Sequence, residues 1–345
     1  PSVQNPDQAD ADDDGYGDAC TVVHVVNTSA QLQSALTAAQ SNSKNDVIKL
    51  AQGIYGISGN NNQRFLYSSS EPWGLAIKGG YASGFSERQV DPANTILDGE
   101  GIYQGPAYGA GVLRIYHGST AVYRKIVVEG VTIRNGRASS YGGVYAYTMN
   151  GDLTFTNNII KGNSTTQYSK CGVTALTNAG SVVLTNNIVS DNTSAYYYGG
   201  VYAQADYGTI KLTNNTITGN SASGRGGLGL WLSNNTVSAN LYNNIIWNNT
   251  ATAAGDIHIT NSAGGTVYAY YNDFNPAKVY GTFTEQGNNL NNVNPLFVGG
   301  GDYHLGVGSP CIDAGSASAP LLPFTDFEGD DRILGAAPDM GADEY

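Results

Sequence analysis

A self-similarity of 27 to 29 residues runs through the middle of this 345-residue chain, and a period of that length limits the architecture before any single residue is read. An Asn-Asn pair recurs at Asn157-Asn158, Asn186-Asn187, Asn214-Asn215 and Asn243-Asn244. Asn163, Asn192, Asn220 and Asn249 follow five or six residues later, with an earlier copy at Asn135. A Gly before an apolar residue returns at Gly143-Val144, Gly172-Val173, Gly200-Val201 and Gly227-Leu228. Between these markers lie short segments such as Val144-Tyr145-Ala146-Tyr147 and Ile210-Lys211-Leu212-Thr213, whose two-residue rhythm is that of strands with one face inside. No helical pattern links them. Parallel strands normally need a helical crossover, unless the chain coils so that each strand lies on its own copy one turn below. The repeat therefore predicts an all-β parallel β-helix, about three strands per unit, with Gly and Asn at the corners and apolar faces buried by stacking.

Asn suits the corners because it tolerates left-handed backbone and because stacked amides can hydrogen-bond along a column. The column periodicity favours this structural role over N-glycosylation at the sequons headed by Asn27, Asn163 and Asn192. The composition, 45 Gly and 24 Tyr with only 13% charged residues, suits a secreted solenoid at the cell surface or outside the cell. No transmembrane run, signal peptide or initiator Met is present, so the chain is expected to be a processed product. The net charge of −12 gathers at the ends: residues 1–20 carry six acids and no base, and residues 301–345 carry nine acids and one Arg. The near-neutral body lacks the basic stripe that neutralising phosphates requires, which argues against nucleic acid as a partner.

The first 20 residues indicate a cation. Asp10, Asp12, Asp14 and Asp18 surround Gly15, with Asp7 before them, and alternate carboxylates with the Tyr16 carbonyl can wrap hard oxygens around one calcium ion. An EF-hand is disfavoured because the twelfth position of a loop begun at Asp10 is Thr21 rather than Glu. The stretch resembles the end of a thrombospondin type 3 repeat, which implies calcium at Asn5, Asp7, Asp10, Asp12, Asp14 and Asp18 and a disulfide role for Cys20.

Leu32, Leu36 and Ala39 share one side of a helix expected over 30–39, and residues 46–50 read as the first strand. Such a helix would cap the open end of the coil. The expected organisation is a calcium loop over 1–20, an N-terminal cap and first strand over 21–50, the β-helix over 51–298 and a C-terminal cap over 299–345. Closing motifs include Asn294-Pro295-Leu296-Phe297, Gly308-Ser309-Pro310-Cys311-Ile312-Asp313-Ala314-Gly315 and Gly341-Ala342-Asp343-Glu344-Tyr345. From about residue 45 onward the chain resembles the bacterial choice-of-anchor Q surface proteins, relatives of polymorphic outer-membrane-protein passengers. That resemblance implies a right-handed parallel β-helix, secretion or surface display, and a role without established catalysis.

Many parallel β-helices cleave polysaccharides through paired carboxylates or a Lys or Arg base. Residues 130–284 contain no Glu, and Asp152, Asp191, Asp206, Asp256 and Asp273 occupy unlike positions in the repeat, so no carboxylate column is expected. The best lyase constellation is Lys211 with Asp206 and Arg225, while His258 has no second titratable partner close in sequence beyond Asp256. A clearer surface signal is aromatic. Aligned Gly-led strands place Tyr145, Thr174, Tyr202 and Gly229 in one outward column and Tyr147, Leu176, Gln204 and Trp231 in the next. Tyr145, Tyr147, Tyr202 and Trp231 thus form a candidate face for a surface polysaccharide or a protein partner.

Of three cysteines, Cys171 replaces the first Gly of a Gly-Gly corner and is read as packed. Cys20 and Cys311 lie at opposite ends of the sequence, and about ten rungs at about 4.8 Å would hold those ends roughly 50 Å apart. They are therefore candidates for a disulfide between molecules arranged head to tail, with calcium shared between the N-terminal loop and residues 326–331. The functional expectation is a non-enzymatic, calcium-binding extracellular β-solenoid with a structural or adhesive role, able to polymerise end to end. The alternatives are a polysaccharide lyase or glycoside hydrolase, and a carbohydrate-binding module.

Overall fold

A computed structural model describes residues 21–345 apart from 106–108, 122, 168–169 and 262. The described chain is a parallel β-solenoid, fitting the expected right-handed parallel β-helix, with three stacked sheets of fifteen, nine and five strands. Each coil of the regular middle runs along a long strand, turns at an Asn corner into a three-residue strand, turns again into a two-residue strand, and returns through a loop. The long strands Val144–Thr156, Val173–Thr185 and Val201–Thr213 each span two faces. The first of them pairs with Leu113–His117 along its first half and with Arg124–Glu129 along its second. Gly151, Gly180 and Gly208 lie where these faces meet, at φ of 147°, 143° and 159°. A Cβ at Gly180 or Gly208 would lie 2.1 or 1.8 Å from the glycine carbonyl one coil before, so this column admits no side chain.

Val144, Ala146, Leu153 and Phe155 point inward above Val173, Ala175, Val182 and Leu184 and then Val201, Ala203, Ile210 and Leu212, all essentially inaccessible. Each buried Val or Leu contributes about 1.5–3 kcal/mol. Ordering the backbone costs about 1–2 kcal/mol per residue, so a lone coil does not hold and stacking is required.

Both corners use the same two-residue grammar. The first residue is left-handed, Asn157, Asn186, Asn214 and Asn243 at one corner (φ 53–55°) and Gly162, Asp191, Gly219 and Asn248 at the other. The second is an inward Asn that donates its amide to the Asn one coil further on. One ladder runs Asn158, Asn187, Asn215, Asn244, Asn272, Asn289 with Nδ2–Oδ1 distances of 2.8–3.1 Å. The other runs Asn163, Asn192, Asn220, Asn249 at 2.9–3.0 Å. Asn163 and Asn192 are therefore buried structural amides, as their periodicity implied.

Two expectations are corrected. The first described strand is Thr21–Val26, which pairs in parallel with Asn45–Ala51; the expected first strand is the second. Its alternating β-branched residues were absorbed into the expected cap. The helix Ser29–Ala38 joins the two, with Thr28 Oγ1 accepting from Gln31 N–H at its N-cap. Gln33 of this helix donates to Leu66 O and accepts from Leu66 N–H, covering the edge of the strand Phe65–Ser69.

The second correction concerns residues 299–345, which do not cap the last rung. They fold back as a strap along the flank at the first Asn corner. A left-handed corner Asn turns its amide outward, where it needs a partner, and strap carbonyls supply it. Asn157 donates to Asp326 O, Asn186 to Thr325 O, Asn214 to Asp339 O and Asn243 to Ser316 O. Phe327 and Ala342 pack on Ile188, and Cys311 and Met340 on Ile245. Arg332, 1% exposed, bonds Asn186 Oδ1 at 2.8 Å and Ala342 O at 2.7 Å and lies 3.6 Å from Glu344.

Candidate functional site

The outer face of the Gly-led strands carries the densest chemistry. Parallel register aligns Arg114, Tyr145, Thr174, Tyr202, Gly229, His258 and Tyr280 in one column and Tyr116, Tyr147, Leu176, Gln204, Trp231 and Thr260 in the next, as the sequence alignment of these strands implied. Just before these strands a loop column adds Tyr141, Lys170, Tyr198 and Arg225.

The two columns interdigitate. Small residues, Thr174 and Gly229, alternate with rings along the strand column, and the rings of neighbouring loop residues fill the spaces. A Cβ at Gly229 would lie 2.1 Å from Tyr198 Cε1, so glycine is what admits that ring. Tyr198 and Tyr202 lie 4.7 Å apart, Tyr141 and Tyr145 4.5 Å, and Tyr116 stacks on Tyr147 at 5.1 Å. His258 stacks on Tyr280 at 4.8 Å and meets Tyr198 edge-on. Burial and the nearby Arg225 push the His258 imidazole down to about 4, so at neutral pH it is one more uncharged ring.

Cations sit on these rings. Lys170 Nζ lies 4.0 Å from the Tyr202 ring centre, and burial lowers its ammonium to about 8. Arg225 lies over Tyr198 and Tyr197, and Arg114 over Tyr145. Tyr196, Tyr197, Trp231 and Tyr280 present open rings to solvent, 38–59% exposed. Of the four face residues expected from sequence, Trp231 is exposed, Tyr145 and Tyr147 are half-buried, and Tyr202 is buried at 3% beneath Lys170. Lys170, Tyr198 and Arg114 were missed. Stepping back one period from Arg225 to Tyr198 and again to Lys170 would have found the loop column.

Other expectations fare differently. Lys211, Asp206 and Arg225 do not converge: Asp206 accepts from Gln204 and Ser233, Lys211 stands beyond Gly208 on the second face, and Arg225 belongs to the loop column. His258 does have close partners, which are remote in sequence because stacking joins residues one period apart. Cys171 is buried and donates to Asn163 O, as expected of a packed thiol. Cys311 is also fully buried on the flank, with its thiol pushed up to about 12 by burial, so it is not placed to bridge molecules. Of residues 326–331, offered for shared calcium, Asp326 is 1% exposed and already accepts the N–H groups of Glu328, Gly329 and Asp330, while Asp330 and Asp331 are exposed. Asp7, Asp10, Asp12, Asp14, Tyr16, Asp18 and Cys20 lie outside the described residues. Among the described residues no cluster of His, Cys, Asp and Glu is arranged to hold a metal, and no helix is long and apolar enough to cross a membrane.

A separate pocket of about 320 Å³ lies between strap and flank, lined in part by Lys161, Tyr303, His304 and Glu328. Several of its groups are engaged: His304 bridges Asp302 and Glu328, and the Tyr303 hydroxyl donates to Asp191. That arrangement fastens the strap. Comparison with protein-family models, with curated proteins and with solved structures gave no match.

Proposed function

We propose that this chain is a non-catalytic, extracellular adhesive β-solenoid whose Gly-led face binds an extended glycan. The observation that carries the reading is the series of rings along the stacking axis, Tyr116 and Tyr147, then Tyr197 and Trp231, then Tyr280, with Leu176 and Gln204 between the first two groups. Rings present apolar faces to the C–H faces of sugars at little entropic cost, and a linear series suits a linear polymer. Retention of the protein in gels cast with polysaccharides tests this. Tyr197→Ala and Trp231→Ala should each weaken retention about fivefold, from about 1 kcal/mol per lost stacking contact. Equal mobility with and without every polysaccharide would remove the reading.

In the same proposal the acidic N-terminal segment binds calcium, supported by its alternating carboxylates around Gly15. A polysaccharide lyase is the second reading, and one observation favours it: Lys170, lowered towards neutrality, lies on the same face as Arg225 and could serve as a base. Ultraviolet-absorbing unsaturated product from a uronate polymer, lost in Lys170→Gln, would promote it to first place.

A further inference from the structure

We infer that the glycan is a polyanion, and that Arg114, Lys170 and Arg225 engage its charges on every second coil. This rests on the glycan-binding reading above. The three cations occupy alternate rungs: Arg114 pairs across to Tyr145, Lys170 follows Tyr141, and Arg225 follows Tyr198. Rings fill the rungs between. At strand spacing of about 4.8 Å, successive cations recur about every 10 Å along the axis.

These cations are held but not neutralised. Among the described residues Arg88, Arg134 and Arg332 each have a carboxylate within 4.0 Å, whereas Arg114, Lys170 and Arg225 have none. A ring quadrupole positions a cation without cancelling its charge. Asp206 is the acid of this face, held by Gln204 and Ser233. It is linked to Tyr202 through Gln204, which accepts from the Tyr202 hydroxyl, so it lowers the net charge of the face, but among the described residues it forms no ion pair with any of the three cations. A carboxylate or sulfate ester arriving over the rings would gain a charge-assisted hydrogen bond at each cation. A polymer long enough to reach two or three cations would gain avidity as well.

The test is a titration of the protein with four polymers: polygalacturonate, the same polymer after carboxyl reduction, dextran sulfate and dextran. Wild type, Lys170→Gln, Arg225→Gln, Lys170→Arg and Trp231→Ala are compared at several NaCl concentrations, with each variant's melting curve as a check on folding. The inference expects at least one polyanion to bind ten or more times more tightly than its uncharged counterpart. Each Gln substitution should weaken binding about tenfold and lower the slope of log Kd against log salt by roughly one, by the counterion argument for polyanions. Lys170→Arg should keep most of the affinity. Binding of polygalacturonate alone identifies a carboxylate ligand, and of dextran sulfate alone a sulfate ester. Equal binding of charged and uncharged polymers, weakened by Trp231→Ala but not by the Gln variants, overturns the polyanion inference and leaves glycan binding standing. No binding of any of the four overturns both.

Discussion

Asn215→Ala tests the account of what holds the coils in register. Asn215 is fully buried in the first ladder. Its amide donates to Leu184 O at 2.8 Å and to Asn244 Oδ1 at 3.0 Å, and its Oδ1 accepts from both Asn187 N–H and Asn187 Nδ2 at 3.0 and 2.9 Å. Truncation leaves the Asn187 N–H without its acceptor and the Leu184 carbonyl without that donor, in a site closed to water. At about 1–3 kcal/mol per orphaned buried group, the loss should be roughly 3–5 kcal/mol, a large share of the stability of a typical domain. Asn157→Gly is the contrasting change at the same corner. Glycine keeps the left-handed backbone, and the bond to Asp326 O and the long one accepted from Asn186 Nδ2 (3.4 Å) are lost, so about 1–2 kcal/mol is expected. Asn289→Ala, at the half-buried end of the ladder, should fall between them. Urea unfolding followed by far-ultraviolet circular dichroism gives the three values, and exchange of the Asn187 amide reports the local effect. If Asn215→Ala costs no more than Asn289→Ala, the ladder is ornament on a fold held by its apolar core alone.

Stability should fall as pH rises from about 6.5 to 9; below that, His258 and His117, both lowered by burial, work the other way and gain stability as pH rises towards 6.5. Burial pushes the carboxyls of Asp343, Asp273 and Glu344 up to about 6, 7 and 7, so each loses its contribution as pH climbs from its unfolded value through those pKa values. His304, pushed up to about 9 against its own burial by Glu328 and Asp302, loses its contribution between about 6.5 and 9. A melting temperature higher at pH 8.5 than at pH 6.5, or an alkaline arm unchanged in His304→Gln, would contradict this. Arg332→Met should loosen the strap by about 3–5 kcal/mol, because Glu344 is left buried without its partner, and limited proteolysis within residues 313–336 should quicken. If that segment is cut no faster, the strap is held by packing alone. Chelator should speed cleavage between Asp7 and Cys20, and equal rates with calcium and with EDTA would remove the calcium proposal.

The coil was legible because its corners impose a demand that few residues meet. A left-handed residue followed by an inward amide has to recur every coil, so Asn157-Asn158 and its copies announce themselves in sequence. The inward and outward assignment of Val144 to Tyr147 followed from the strand period alone. The strap was not legible, since its contacts follow no period: Asn157 meets Asp326 across 169 residues and Arg332 meets Asn186 across 146. The cationic column lay between these cases. Lys170 and Arg225 occupy equivalent places two coils apart, but each reads as an isolated surface charge until Tyr198 is set between them.

Placing the strap on the flank changes what the charge distribution means. Residues 301–345 hold nine acids against one Arg, and in sequence this looks like an acidic end facing another across the length of the solenoid. In the folded chain the strap that carries those acids lies beside the corner at Asn157, Asn186, Asn214 and Asn243, while Lys170 and Arg225 precede the Gly-led strands and Arg114 lies within one. The whole length of each long strand separates the two. Among the described residues this polarity therefore runs across the coil. Head-to-tail association loses its thiol support, because Cys311 is enclosed, and keeps only Asp330 and Asp331 of the acids offered for shared calcium at exposed positions, since Asp326 is spent on its own turn. A polyanion would be drawn to the ring-bearing face and repelled by the strap, which orients it before any ring is touched. Self-association, if light scattering in millimolar calcium detects it, is then expected to weaken with salt and to persist in Cys311→Ser, since side-to-side contact of an acidic flank with a cationic face needs no thiol. A dimer that survives 0.5 M NaCl and vanishes in Cys311→Ser would show that the flank opens and that the longitudinal scheme was right after all.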